Sequence, residues 1–168
     1  LITVHAAGGD DFLFGKNGGN NNPSFELFGE AGDDEIRIND TGLADGGEGD
    51  DNISIDAGSS HTVQALGGMG DDILQIRSGT VRIDGGDGYD VFSAANRNPL
   101  AGLDVDLIIG TFSSNGNDRF SGSISNVEEL IGSDEHADFL RGSNTGERLI
   151  GAGGSDVIEG RGGEDAVY

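Results

Sequence analysis

The sequence predicts an all-β fold in which short strands and tight loops repeat as the coils of a solenoid. Three observations carry this prediction. A nine-residue motif recurs along the chain, its copies start about one or two motif lengths apart, and an apolar residue recurs at a fixed place in each copy. Hydrophobic residues make up 34% of the chain and 32 of its 168 residues are glycine, which favours a thin core.

The motif reads Gly-Gly-x-Gly-x-Asp-x-apolar-x, and residues 46–54, 67–75 and 85–93 match it without gaps. Looser copies keep the third glycine, the aspartate and the apolar residue. High glycine content would produce one such match by chance, but not this many in register. The looser copies span residues 6–14, 29–37, 151–159 and 160–168, with a weaker one at 113–121.

The spacing of the copies indicates how the coils are built. Nine residues hold one loop and one short strand, so eighteen complete a coil. Copies starting at residues 29, 46, 67 and 85 are 17, 21 and 18 residues apart, whereas 142–150, 151–159 and 160–168 follow without a break. Early coils therefore carry the motif on one side only, and the last coils carry it on both.

Each position of the motif has a physical role. Glycine permits positive φ, so the loop can curl tightly and turn its carbonyl oxygens inward. The aspartate adds an anionic oxygen, and Ca²⁺ takes six to eight oxygens at about 2.3–2.6 Å, which two stacked loops can supply and one cannot. The apolar residue points inward from a short strand. The expected core ladder is Ile53, Leu74, Phe92, Ile158 and Val167.

The charge of the chain supports cation binding. Aspartate and glutamate number 31 against nine lysines and arginines, a formal net charge of -22. Such a chain repels nucleic acid, and we expect it to need cations before it folds. The absence of cysteine excludes disulfides and thiolate metal sites. No apolar run approaches membrane-spanning length, so the sequence predicts no membrane span.

The acidic residues do not predict an active site. They recur with the repeat, whereas catalysis requires a unique constellation of residues. The three histidines, His5, His61 and His136, are far apart, and no His-Glu-x-x-His zinc pattern occurs. We therefore expect this chain itself not to be an enzyme.

The nonapeptide resembles the calcium-binding repeat of the hemolysin-type (RTX) family of bacterial exported proteins. The resemblance extends to 103–111, 115–122 and 124–142, and so covers nearly the whole chain. It implies a right-handed parallel β-roll with calcium ions bound between stacked turn loops. It also implies type I export, folding triggered by calcium outside the cell, a secreted or cell-surface location, and further domains of a longer exported parent.

The resemblance also implies the metal ligands. The sixth-position carboxylates are expected to form one stacked ladder, namely Asp34, Asp51, Asp72 and Asp90. Backbone carbonyls at the first and third positions are expected co-ligands, namely those of Gly46, Glu48, Gly67, Met69, Gly85 and Asp87.

Further carboxylates are expected to belong to the same system. Asp156 should pair with Asp138, and Asp165 with the loop that bears Glu147. Asp11 and Asp118 are weaker candidate ligands. The fifth-position side chains, those of Asp33, Asp50 and Asp71, are expected to point outward.

The expected organisation is one continuous elongated unit, truncated at both ends. Residues 1–93 form a first β-roll block, 94–131 irregular connecting coils, and 132–168 a second block. The middle region is either a continuous coil with longer loops or a break between two rolls.

The expected function is a calcium-binding module that folds after secretion and stabilises or spaces its parent. An adhesion or self-assembly module and a polysaccharide-binding solenoid are the alternatives. A polysaccharide site requires a groove with aromatic or basic residues on one strand face. The basic residues Arg37, Arg77, Arg82 and Arg97 form no obvious track in the sequence.

Overall fold

The structure is a computed structural model that describes residues 1–16, 24–58, 60–94, 102–115 and 120–168. Across these residues the regular structure is all β, with no helix. Stacked parallel strands form a β-solenoid of about seven turns, which confirms the predicted parallel β-roll. The described part of the chain contains no apolar helix long enough to cross a membrane.

The described residues form seventeen strands, most of them short because each crosses only one side of a coil. They are β1 (Ile2–His5), β2 (Phe12–Gly15), β3 (Phe25–Ala31), β4 (Glu35–Ile38), β5 (Gly42–Glu48), β6 (Asn52–Asp56), β7 (Thr62–Met69), β8 (Ile73–Asp87), β9 (Val91–Ser93), β10 (Gly102–Asp106), β11 (Thr111–Asn115), β12 (Phe120–Ser125), β13 (Glu129–Ile131), β14 (Phe139–Arg141), β15 (Arg148–Ile150), β16 (Val157–Glu159) and β17 (Ala166–Val167).

The strands build two facing sheets. Sheet A has the order β1-β3-β5-β7-β8-β12-β11-β10-β14-β16, and sheet B has the order β2-β4-β6-β8-β9-β13-β15-β17. The long strand β8 belongs to both sheets, because its first part pairs with β6 and its second part with β7. The motif loops of the first block carry the chain from sheet A to sheet B along one edge, here called the motif edge. The loops before β15 and β17 lie on the same edge, whereas those before β14 and β16 carry the chain from sheet B back to sheet A on the other side. The opposite edge is the return edge.

Inward-facing side chains of successive coils stack into ladders between the sheets. In sheet B the register aligns Ile36, Ile53, Leu74, Phe92, Leu130, Leu149 and Val167.

The predicted core ladder is confirmed at Ile53, Leu74 and Phe92, each with none of its surface exposed. Ile158 is partly buried against this core. The expectation for Val167 was wrong, since 52% of its surface is exposed. Its side chain continues the ladder beyond Leu149, but no described strand covers the far side of β17.

Residues 102–125 form an antiparallel insertion in sheet A. Strand β11 runs antiparallel to both β10 and β12, while β12 lies parallel to β8 and β10 lies parallel to β14. In sheet B, by contrast, β9 pairs directly with β13, with no inserted strand between them. The roll therefore continues across the region that the sequence left open, with two extra strands on one face. The segment predicted as irregular coils contains four strands, β10 to β13.

Aromatic rings fill the core where the insertion widens sheet A. The ring centroids of Phe92 and Phe112 are 5.0 Å apart, and those of Phe112 and Phe120 are 6.4 Å apart. All three side chains are buried. The cluster joins sheet B to the inserted strands, so the insertion is part of the same core.

Replacement of Phe92 by alanine should destabilise the roll strongly. Loss of a buried phenylalanine removes apolar contacts and leaves a cavity, which costs about 3–5 kcal/mol. Urea unfolding, followed by far-ultraviolet circular dichroism in a buffer that contains calcium, measures the change. The matched control is Phe12→Ala, at a side chain that is 58% exposed, for which we expect a change within about 0.5 kcal/mol. Equal losses in both variants would contradict the assignment of Phe92 to the core.

Candidate metal site

The motif loops stack so closely that two of their glycine positions admit no other residue without strain. Gly47 and Gly49 have φ of +112° and +128°. A Cβ on Gly47 would lie 2.2 Å from the carbonyl oxygen of Glu30, and one on Gly49 would lie 2.2 Å from that of Gly32. Each loop therefore rests directly on the backbone of the preceding loop, which brings equivalent residues of successive coils together.

The sixth-position aspartates stack in one row along the motif edge, as the motif alignment predicts. In each pair, a carboxylate Oδ1 accepts the backbone N–H of the equivalent aspartate one coil earlier. Asp11 donates to Asp34 at 2.7 Å, Asp34 to Asp51 at 2.8 Å, Asp51 to Asp72 at 2.8 Å and Asp72 to Asp90 at 2.9 Å. We call the last four, Asp34, Asp51, Asp72 and Asp90, the inner carboxylate row.

One oxygen of every carboxylate in the inner carboxylate row has no hydrogen-bond partner. These four Oδ2 atoms are buried, and the four residues expose at most 2% of their surface. An ionised carboxylate out of contact with water costs several kcal/mol unless it is paired. A cation or a proton beside these oxygens would relieve that cost.

Backbone carbonyls of the next loop approach the same oxygens. A Cβ on Gly46 would lie 2.1 Å from Asp51 Oδ2 and 2.4 Å from the carbonyl oxygen of Gly67. The carboxylate of one loop and the first-position carbonyl of the next thus converge on one point. The same arrangement recurs at Gly29 with the carbonyl of Gly46, at Gly67 with that of Gly85, and at Gly85 with that of Asn126. The predicted co-ligand carbonyls of Gly46, Gly67 and Gly85 accordingly face the inner carboxylate row.

The third-position carbonyls have a different role. They accept backbone N–H groups from the preceding coil and so hold the loops together. The carbonyls of Glu48, Met69 and Asp87 accept from Gly32, Gly49 and Gly70, at 2.8, 2.8 and 2.9 Å. Since a carbonyl oxygen has two lone pairs, one remains on each.

The fifth-position aspartates form a parallel outer row. Asp33, Asp50 and Asp71 are exposed, in line with the expectation that they point outward. Their Oδ1 atoms accept the N–H groups of Asp50, Asp71 and Tyr89 at 3.0, 2.8 and 2.8 Å. Neighbours in one loop therefore provide a buried and an exposed carboxylate with similar backbone contacts.

The row continues beyond Asp90 with a residue that the sequence did not indicate. Glu128 Oε2 accepts the N–H of Asp90 at 2.9 Å. The connection at 126–128 has no motif, so the only signal was the position of an acid just before β13. At the other end Asp11 is exposed, and Asp118, like Arg97, lies outside the described residues.

The carboxylates of the second block are paired as predicted. Asp156 Oδ1 accepts the N–H of Asp138, and Asp165 Oδ1 accepts that of Glu147, both at 3.0 Å. The buried acids Asp138 and Glu147 differ from the inner carboxylate row, however, because both oxygens of each accept hydrogen bonds from the protein.

Hydroxyl groups supply many of those bonds. The Ser133 hydroxyl lies 3.0 and 3.1 Å from the two oxygens of Asp138, and its N–H donates to Asp138 Oδ2 at 2.7 Å. Thr145 Oγ1 donates to Glu147 at 2.6 Å, and the Ser143 hydroxyl donates to the same carboxylate. Sequence reasoning missed these three residues. The available signal was a serine or threonine in place of glycine or an unspecified residue within the motif loop.

Burial perturbs the pKa of the inner carboxylates. It raises the pKa of Asp51 to about 6, that of Asp72 to about 7 and that of Asp90 to about 6, with nearby aspartates and glutamates adding to the effect. Burial also raises the pKa of Asp34 and of Asp138. Both causes disfavour the ionised form, so the inner carboxylate row attracts positive charge.

The donors that converge at the motif edge are oxygens only. Within the described ranges no three or more histidine, aspartate or glutamate side chains gather into one group. Carboxylates from neighbouring loops would thus act together with backbone carbonyls, which is the kind of donor set that Ca²⁺ accepts. Comparison of the sequence with models of known protein families finds no match, and a search among curated proteins finds no significant one.

The metal-free fold should be more stable in mild acid than in mild base. The folded-state pKa values of Asp51, Asp72 and Asp90 lie above the ordinary 3.8. Their favourable contribution is therefore complete below about pH 4 and is lost as pH rises through about 6 to 7. Far-ultraviolet circular dichroism in chelator should show more β-structure at about pH 5 than at about pH 8.

A matched pair of variants separates this local effect from the overall charge of the chain. Asp72→Asn removes a buried carboxyl and should weaken the pH dependence, whereas Asp71→Asn removes an exposed one with a similar backbone contact and should preserve it. An identical response in both variants would assign the pH dependence to general charge repulsion.

Proposed function

We propose that this chain is a calcium-binding β-roll module of the RTX type. It folds as calcium fills the motif edge after export, and it stabilises or spaces a longer exported parent protein. The observation that carries the proposal is the inner carboxylate row, in which four stacked buried aspartates each hold one oxygen without a partner. The proposed role is in binding and structure and is not catalytic.

The chemistry of the donors favours calcium over other cations. Nitrogen and sulfur ligands are absent from the inner row, which disfavours zinc and other transition metals. Mg²⁺ demands a compact octahedron and keeps much of its water, whereas Ca²⁺ accepts a variable number of carboxylate and carbonyl oxygens. A divalent ion also offsets two carboxylates, and successive loops stack equivalent carboxylates one coil apart.

The overall charge supports coupling between metal binding and folding. At a net charge of -22 the metal-free chain repels itself, and the buried carboxylates add an unfavourable term of their own. Where the site is absent from the unfolded state, the free energy of metal binding becomes free energy of folding. Calcium is scarce inside cells and abundant outside, so this coupling would keep the chain unfolded before export and fold it afterwards.

The second block contains its own partners for buried acids, and we propose that it depends less on calcium. Hydroxyl and backbone donors satisfy Asp138 and Glu147. Asp106 accepts hydrogen bonds from Arg161 at 2.8 and 2.7 Å and from Arg141 at 3.2 Å. These arginines, Arg161 above all, hold the pKa of Asp106 far below its usual range. The metal role predicted for Asp138, Asp156 and Asp165 is accordingly secondary to that of the inner carboxylate row.

A calcium titration in neutral buffer tests the main proposal. Far-ultraviolet circular dichroism should show a cooperative change from disorder to β-structure with calcium, and no comparable change with magnesium. A chain already folded in chelator and unaffected by calcium would overturn the proposal.

The pair Asp72→Asn and Asp71→Asn locates the effect within one loop. Asp72→Asn should raise the calcium midpoint by about tenfold, or about 1.4 kcal/mol, because it removes a ligand charge. In chelator it should leave the fold at least as stable as the unaltered chain, since a buried unpaired charge is gone. Asp71→Asn should shift the midpoint by much less. Equal shifts would indicate diffuse electrostatic binding rather than ions at the inner carboxylate row.

Hydrogen exchange should reveal different calcium dependence along the roll. In a solenoid each coil contacts mainly its neighbours, so parts of the stack can differ in stability. On removal of calcium, the amides of Asp34, Asp51 and Asp72 should lose protection before those of Asp138 and Glu147. Simultaneous loss in both groups would contradict the proposal that hydroxyl groups replace the metal in the second block.

A further inference from the structure

A polar groove lies on the outer face of sheet B and begins at residues that directly follow the motif loops. It crosses strands β2, β4, β6 and β8 and encloses about 350 Å³. The strand register sets Phe14, Arg37, Ser54 and Gln75 in one row across these strands. Asn52 and Arg77 also line the groove. We call this feature the sheet B groove.

Arg77 distinguishes this groove from an ordinary solvated face. It is half-buried, and within the described part of the chain its guanidinium makes no hydrogen bond and no ion pair. By contrast Arg141, Arg148 and Arg161 each pair with a carboxylate. A half-buried guanidinium without a partner is unexpected in a chain with 31 acidic residues. Its five donors suit a planar carboxylate from a ligand.

Arg37 supplies a second guanidinium, whose positive charge is partly offset by a neighbouring carboxylate. It forms an ion pair with Glu35, which also lines the groove, and its guanidinium lies 5.5 Å from the ring centre of Phe12. The groove therefore carries two guanidinium groups and one carboxylate. That balance favours a ligand with widely spaced negative charges over a polyphosphate, whose dense charge Glu35 would repel.

The remaining lining matches a ligand rich in hydroxyl groups. The side chains of Asn52, Ser54 and Gln75 make no hydrogen bond to any described residue, so amide and hydroxyl donors and acceptors are available. Half of the surface of Phe14 is exposed, which provides an apolar ring at one end. Polar groups for hydroxyls, an apolar ring for C–H faces and guanidinium groups for carboxylates together describe an acidic sugar chain.

We propose that the sheet B groove binds an oligosaccharide that carries carboxylate groups, with Arg77 as the principal anion contact. Parallel strands lie about 4.8 Å apart and present equivalent positions in a row, so an extended chain can contact several coils in succession. The groove borders the motif edge at Glu35 and Asn52, but no carboxylate of the inner carboxylate row lines it. Sequence inspection found no basic track because the coils that bear Arg37 and Arg77 are brought together only by stacking.

Titration calorimetry with the full chain in its folded, calcium-loaded state tests the proposal. The probes are a galacturonate oligosaccharide and a neutral galactose oligosaccharide of equal length. We expect saturable binding of the galacturonate oligomer and about tenfold weaker binding of the neutral one, because the charge-assisted contacts are lost. No binding of the acidic oligomer, or equal binding of both, would overturn the proposal.

Two substitutions with equal charge change locate the site. Arg77→Gln should weaken binding of the galacturonate oligomer by about tenfold. Arg82→Gln, at an exposed arginine on sheet A, should leave binding unchanged. Binding that survives Arg77→Gln, as expected of calcium bridging at the motif edge, would overturn the proposal, and so would equal weakening by both variants. Circular dichroism of each variant checks that the roll is folded, so that loss of oligosaccharide binding is distinguished from a failure of calcium-driven folding.

Discussion

In four successive loops, one oxygen of a buried aspartate accepts a backbone N–H from the preceding coil, while the other has no partner in the protein. The first contact sets the spacing of the coils. The second leaves oxygens whose negative charge is unfavourable, because burial raises the pKa of Asp51 and Asp90 to about 6 and that of Asp72 to about 7. Under the proposed function, cations stabilise the motif edge, because the thin apolar core alone has little to offset the cost of buried charge.

Buried carboxylates at the two ends of the roll have different surroundings. Around Asp51 and Asp72 the loops consist mostly of glycine and offer only backbone oxygens and carboxylates. Around Asp138 and Glu147 serine and threonine hydroxyls donate to the carboxylate, and at Asp106 two arginines do so. The closely stacked backbone is shared by both ends, as a Cβ on Gly163 would lie 2.0 Å from the carbonyl oxygen of Thr145 one coil away. Similar loops therefore differ through one or two side chains in whether the protein itself supplies donors to both carboxylate oxygens.

Much of the fold follows from the motif, because its contacts join equivalent residues of adjacent coils. The spacing of copies predicted the coil length, the aspartate position predicted the stacked row, and the apolar position predicted Ile53, Leu74 and Phe92 in the core. Where the chain has no copy of the motif, the sequence did not predict the strands or their pairing. The antiparallel strands β10 to β12 carry no motif, and Glu128 joins the carboxylate row from a three-residue connection. Val167 follows the pattern but lacks a covering strand.

The sequence by itself thus predicted the residue type at each position of a motif: glycine where φ is positive, an acid where loops stack, and an apolar residue where a strand side chain faces inward. These features depend on residues within one motif or on the same position one coil away. Whether a carboxylate oxygen finds a donor depends instead on side-chain positions across the loop, as with Ser133 and Asp138. The sheet B groove depends on a register that aligns strands far apart in sequence. That register is set by the number of residues in each return connection. The return connections have no periodic pattern, so the sequence does not predict the register.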